Sequence, residues 1–226
     1  FRDDPATYAG VLDSSDPSNP MRTWSMVYIP NCTGDLHSGS KTTTYVDPAT
    51  RQPFSIEHRG ADNVNVVMEW IKENFGSPDD LMVTGSSAGG LGAIIHYPQI
   101  RRAYPRARSF LLADSAPTVM PAVFETTYRQ NWNMQIDRQV YGNNAQGTPV
   151  KDLLQKLTVS YARDRFGQYT TAIDMTLISY YDAMANGIDT GVQGSACSAW
   201  VDDTLAGLAS NQVAAQATSG KAAKTA

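Results

Sequence analysis

The chain has 226 residues, 42% of them hydrophobic, and a formal net charge of −4. That length suits one well-buried core rather than two domains, and the acidic balance leaves no basic face for a phosphate backbone, so nucleic acid is excluded as an expected partner. No apolar run reaches the ~20 residues of a membrane span, Phe1-Arg2-Asp3-Asp4 has no signal-peptide pattern, and Cys32 and Cys197 lack the paired spacing of a zinc site.

Up to about Thr23 the chain is rich in Asp, Ser, Pro and Asn and is predicted to be loop. "TWSMVYIP" is a short β-rich apolar run closed by Pro30, predicted as a buried strand, and "NCTGDLHSGSKTTTYVD" reads as a long polar loop. Within that loop Asn31-Cys32-Thr33 matches the glycosylation sequon, which matters only in a secretory eukaryotic setting. Val64, Val67, Met68 and Ile71 recur at helical spacing, giving an amphipathic helix from Ala61 to Phe75 with Gly76 as its stop. Asp80 to Thr84 reads as a strand, Ala88 to Tyr97 as a helix halted by Pro98, and "ARSFLLAD" as a strand ending at Asp114. Parallel neighbours need crossovers, so strands alternating with helices indicate an α/β class: a mostly parallel sheet with helices on both faces. Residues 121 to 165 are predicted to form a helical cap insertion, broken at "YGNNAQGTP". "FGQYTTAID" is the last strand, "MTLISYYDAMANG" a helix, Ser198 to Ala209 another, and 210 to 226 a frayed or disordered tail. The single domain spans 1 to 226.

Gly85-Ser86-Ser87-Ala88-Gly89 fits G-x-S-x-G with Ser87 at its centre. A strand enters the motif and a helix leaves it, the context in which a serine sits at the apex of a strained turn. Such a turn forces an unfavourable backbone conformation and brings the next elements close, which Gly85, Ala88 and Gly89 permit. The helix behind Ser87 directs amides at any oxyanion formed there, Ala88 N–H first among them. The plain alternative is a glycine-rich turn that only packs tightly. No phosphate-binding loop, metal-ligand set or cofactor motif is present, so the expected chemistry needs neither metal nor cofactor.

A nucleophilic serine needs a base, and the base a carboxylate. Asp114 and Asp174 both end predicted strands and are candidates for that acid, against the ordinary role of capping a helix. Of the three histidines, His37 and His58 precede Ser87 and lie in loops, while His96 falls nine positions along the outgoing helix, where a structural role is expected. None follows Asp174.

"MVYIPNCTGDLHSG", "HRGADNVNVVMEWIKENF", "VTGSSAGGLGA", "LLADSAP" and "YTTAIDMTLI", in this order, resemble the pectin acetylesterase and Notum family of serine hydrolases, over about residues 1 to 205. The resemblance implies an α/β-hydrolase-like fold and an ester hydrolase, acting on carbohydrate O-acetyl groups or another carboxylic ester, usually secreted. It implies Ser87 as nucleophile, Ala88 as an oxyanion amide, Asp174 as the triad acid, and a structural role for Asp114. It also implies a chain truncated at both ends. The front strand, with its turn carrying the second oxyanion amide, and the last strand, with the catalytic histidine, are expected to be missing. Two expectations follow: a gap or altered pairing near Val27 to Pro30, and, as the alternative function, a catalytically incompetent relative that at most binds a ligand.

Overall fold

The computed structural model describes residues 10–116, 118–142, 148–171, 173–186 and 204. Predicted features at 198–209 and 210–226, and Cys197, lie outside them apart from Thr204. Cys32 is exposed and unbridged.

A three-stranded parallel sheet is built from β3 (Asp80–Ser86), β4 (Arg108–Asp114) and β5 (Arg165–Tyr169), in the order β3-β4-β5. Register pairs Val83 with Leu111 and Leu111 with Phe166, and at the carboxyl end Ser86 with Asp114 and Asp114 with Tyr169. Alternate β4 residues Ser109, Leu111 and Ala113 are buried, the period-two pattern of a strand packed on one face. That face meets α2 (Ala88–Ala103) and α5 (Val150–Ser160) in a core of Leu91, Ile94, Tyr97, Leu111, Leu153 and Leu157. α1 (Gly60–Asn74) lays Val64 and Met68 against Tyr104 and Ala107, with Leu81 alongside. On the other face Met82, Phe110 and Leu112 line a shallow concavity with Met21.

The predicted strand "TWSMVYIP" is not formed. Residues 25 to 31 have no strand pairing, and Met26, Val27 and Tyr28 are 46%, 40% and 42% exposed. β3 is an edge among the described residues, with only β4 beside it, so this run does not join the sheet. The segment near Val27 to Pro30 thus forms no strand, rather than one with altered pairing. The predicted polar loop, in contrast, ends in a strand, β1 (Lys41–Val46), which forms an antiparallel hairpin with β2 (Pro53–His58) just beyond it, Lys41 opposite His58. Its outer face satisfies itself through Thr44–Ser55 and Thr42–Glu57 side-chain bonds, and its inner face docks on α3 (Arg129–Trp132), where Ser40 N–H donates to the Trp132 carbonyl at 2.9 Å.

Pro98 does not stop α2, which continues for another turn to Ala103. Proline removes one helical hydrogen bond, leaving the carbonyl four residues earlier without a donor. That carbonyl belongs to Ile94, and it accepts from the hydroxyl of Tyr141, 2.7 Å away at the end of α4 (Arg138–Tyr141). Burial pushes the Tyr141 hydroxyl well above its ordinary pKa, so it remains a donor. We expect Tyr141→Phe to cost about 1–3 kcal/mol in urea denaturation, the desolvation cost of the orphaned carbonyl. An unchanged midpoint would mean that the proline is accommodated some other way. Farther along α2, Tyr97 and Arg101 both bond to Asp164, at 2.9 and 2.7 Å, tying the helix to the turn before β5.

The segment expected as a cap consists of a π-helical turn at Phe124–Tyr128 running into α3, then α4 and α5. Phe124, Trp132, Tyr141 and Leu153 share the core of α2.

Candidate active site

β3 delivers the chain to Ser87, and α2 begins at Ala88. Ser87 has φ 53° and ψ −121°, a region essentially reserved for glycine that costs on the order of 1–3 kcal/mol elsewhere. Three bonds hold it there. Its N–H donates to the Asp114 carbonyl at 2.8 Å, and its carbonyl accepts from Gly90 at 2.9 Å and Leu91 at 3.3 Å. Ser87 is half-buried, at the carboxyl edge of the sheet. The Ala88 and Gly89 N–H groups precede the first helical bond, so they have no acceptor within the helix and lie at its positive end.

The glycines around Ser87 are not equivalent. A Cβ on Gly85 would stand 2.3 Å from the Gly89 carbonyl carbon and oxygen, so the turn closes only because position 85 has no side chain. A Cβ on Gly89 would meet nothing within 4 Å. The expectation that both are sterically required is corrected: the backbone of Gly89 crowds position 85, while its own missing side chain faces open space.

Asp114 ends β4 as expected and is the direct neighbour of the turn through its carbonyl, with its carboxylate 3.4 Å from the Ser115 hydroxyl. Asp174 does not end a strand. β5 stops at Tyr169, and Asp174 instead caps α6 (Met175–Asn186), one carboxylate oxygen accepting from the Thr176 and Leu177 amides at 3.0 Å each. "YTTAID" contains β-prone threonines, but the neighbouring β4 has already ended where they begin, and a serine or aspartate ahead of an apolar helix favours the cap. Sequence reasoning passed over Ser115, which has φ 46° and whose N–H donates to the Tyr169 carbonyl at 2.7 Å. It repeats on β4 the strand-to-turn step that Ser87 makes on β3, and the signal was the Ser-Ala-Pro that follows "LLAD".

All three histidines are buried. The His96 ring donates from Nε2 to the His37 carbonyl at 2.6 Å, with Nδ1 3.3 Å from Gln99 Oε1. His37 packs its ring where a Cβ on Gly92 would lie, 2.6 Å from Cδ2. His58 Nε2 bonds to the Tyr45 hydroxyl at 2.9 Å. No bond from these rings to Ser87 or Asp174 occurs among the described residues, so the structural role expected for His96 extends to all three.

Burial lowers the pKa of His37, His58 and His96. The unfolded chain takes up protons near the ordinary value of about 6.5 while the folded chain resists them, so their contribution is complete above that pH and is lost as pH falls toward the folded values. The urea midpoint at pH 5.5 should lie below that at pH 7.5, in a range where ordinary carboxylates, with pKa about 4, contribute little. A flat profile would mean solvated imidazoles.

Comparison with known proteins gives a consistent family. The sequence model of the pectinacetylesterase family matches residues 2–147. Among solved structures the chain is similar to the Wnt deacylase Notum from Drosophila, with 19% identity and a TM-score of 0.50 over 80% of this chain and 55% of that one. At that identity the likeness shows the fold, an α/β-hydrolase-like one. The chain spans about half the length of that protein. No curated protein matches.

Proposed function

We propose, for a chain that belongs to the pectinacetylesterase family, that residues 80 to 98 carry the nucleophile of a serine ester hydrolase acting on carbohydrate O-acetyl groups outside the cytoplasm. The observation that carries this reading is the backbone of Ser87, a non-glycine residue held at φ 53° between a strand and a helix N-terminus. Strain of that kind persists where the surroundings over-determine it, and it clusters at reacting centres.

In the proposed reaction Ser87 Oγ attacks the acetyl carbonyl carbon as its proton passes to a base. The oxygen of that carbonyl gains the negative charge beside Ala88 N–H. Collapse expels the sugar oxygen, which takes the proton from the protonated base, and leaves an acetyl ester on Ser87. Water, deprotonated by the same base, then attacks that ester and releases acetate. Asp174 supplies the carboxylate that orients the base through the oxygen its helix cap leaves over. No cofactor enters these steps. Acetate release from an O-acetylated oligogalacturonide, compared with hydrolysis of a long-chain acyl ester, tests the substrate: preference for the long acyl chain would overturn the carbohydrate assignment.

A second reading is favoured by one observation. Within these 226 residues no histidine follows Asp174, and His37, His58 and His96 are engaged elsewhere. On this reading the chain binds an ester at the turn around Ser87 without turning it over. Among the described residues no helix is long and apolar enough to cross a membrane.

A further inference from the structure

The loop "NCTGD" holds three side-chain oxygens that are buried and without a hydrogen-bond partner: Asn31 Oδ1, Thr33 Oγ1 and Asp35 Oδ1. Native structures leave few such atoms, and each asks for an explanation, an ion among them. Exposure alternates along the loop. Cys32 and Gly34 face solvent, while Asn31 and Thr33 are half-buried and Asp35 is 0% exposed. The three oxygen-bearing residues are therefore the less exposed ones of the loop, at the one, three, five spacing by which loops present oxygen to hard cations.

The charge at this place is also uncompensated. Asp35 Oδ2 accepts from the Gly60 amide at 2.8 Å and the Gly39 amide at 3.2 Å, at the start of α1. Its other oxygen has no donor, and none of the ion pairs among the described residues involves Asp35. A buried charge is ordinarily paired or metal-bound. His58 turns its Nδ1 side toward the Thr33 carbonyl without closing a hydrogen bond, and it feels the Asp35 charge, so Thr33 and Asp35 border the same ring.

We propose that Asn31, Thr33 and Asp35 form a site for a hard, oxygen-preferring cation of the calcium class, which locks this loop onto the start of α1. One carboxylate among neutral oxygens excludes a soft metal by donor type, and no group of three or more His, Cys, Asp or Glu placed to hold a metal occurs among the described residues. With a single charged ligand the affinity belongs at the weak end for calcium, about 10⁻⁴ to 10⁻³ M. The same burial removes Asn31 from consideration as a glycan acceptor, since a modified side chain must stand in solvent.

The test uses the full chain freed of ions with a chelator. Terbium should give emission sensitised by Trp132, whose ring centroid lies 5.8 Å from that of His58, and calcium should displace it. Calcium at about ten times its Kd should raise Tm by roughly 3–6 °C, with parallel magnesium, sodium and potassium arms showing which ion is preferred. The double variant Asn31→Leu, Thr33→Val should lose the emission and the Tm shift at least tenfold in ion concentration, yet fold in chelator as well as the parent does. No emission and no Tm shift with any of the four ions would overturn the proposal. So would equal terbium binding by parent and variant, or failure of the variant to fold in chelator, since the oxygens would then be making bonds of their own.

Discussion

Gly85→Ala should leave a chain that no longer holds its native state, while Gly89→Ala, four residues away in the same motif, should be neutral or stabilising. The added carbon at 85 would lie 2.3 Å from the carbonyl carbon and oxygen of Gly89. Those atoms are backbone and cannot rotate aside, so relief requires moving the first turn of α2, whose residues Leu91 and Ile94 are 0% exposed. Clashes in packed cores cost about 1–3 kcal/mol when side chains can adjust and occasionally more. One against fixed backbone belongs with the exceptional losses above about 4 kcal/mol, a large share of a total of roughly 5–15 kcal/mol. At Gly89 the carbon enters open space on a helix, where alanine is favoured over glycine by about 1 kcal/mol. Urea denaturation followed by circular dichroism gives both values, and equal effects would refute the close approach of strand and helix.

The largest expected effect on activity concerns a base supplied from solution. The 226-residue chain should hydrolyse an activated acetyl ester slowly, because the amide and the binding cleft alone leave about 10³–10⁴ over water in a comparable triad system, and removing the histidine there costs about 10⁶ in kcat. Imidazole at tens to hundreds of millimolar should raise that rate, as general bases contribute about 10²–10⁴ when positioned and less when free. Ser87→Ala should abolish both the slow turnover and the imidazole-dependent increment, while Ser115→Ala should keep them. An increment that survives Ser87→Ala would be ordinary solution catalysis and would favour the binding-only reading.

Much of this architecture could be read from the residues. The strand, turn and helix around Ser87 follow from an apolar run, a dense set of small residues and a second apolar run, all local signals. The hairpin Lys41–Val46 with Pro53–His58 was hidden because its outer face is built from threonine, serine and glutamate that bond to one another, so the apolar alternation that marks a half-buried strand is absent. Pro98 misled for a different reason: whether a proline ends a helix depends on who satisfies the freed carbonyl, and Tyr141 is 43 positions distant in sequence from Pro98. Met26 to Tyr28 had the composition of a strand, but whether such a run enters a sheet is decided by the sheet rather than the segment. For Asp174 the residue type fits either a cap or an acid; one carboxylate oxygen makes the cap, and the proposed acid role rests on the other. The cation site drew no notice because two of its three donors are neutral oxygens, outside the His, Cys, Asp and Glu patterns by which metal sites are sought.

The central claim is that the strained turn presents one reactive hydroxyl, at Ser87. Prolonged treatment of the chain with a fluorophosphonate, followed by peptide mass spectrometry, tests it directly, since an oxyanion-binding turn accelerates phosphonylation of its own serine even where the base is weak. The account predicts a single adduct on Ser87, slow to form, hastened by imidazole and absent in Ser87→Ala. An adduct on Ser86 or Ser115 in its place, or no adduct on any serine after imidazole is added, would contradict it.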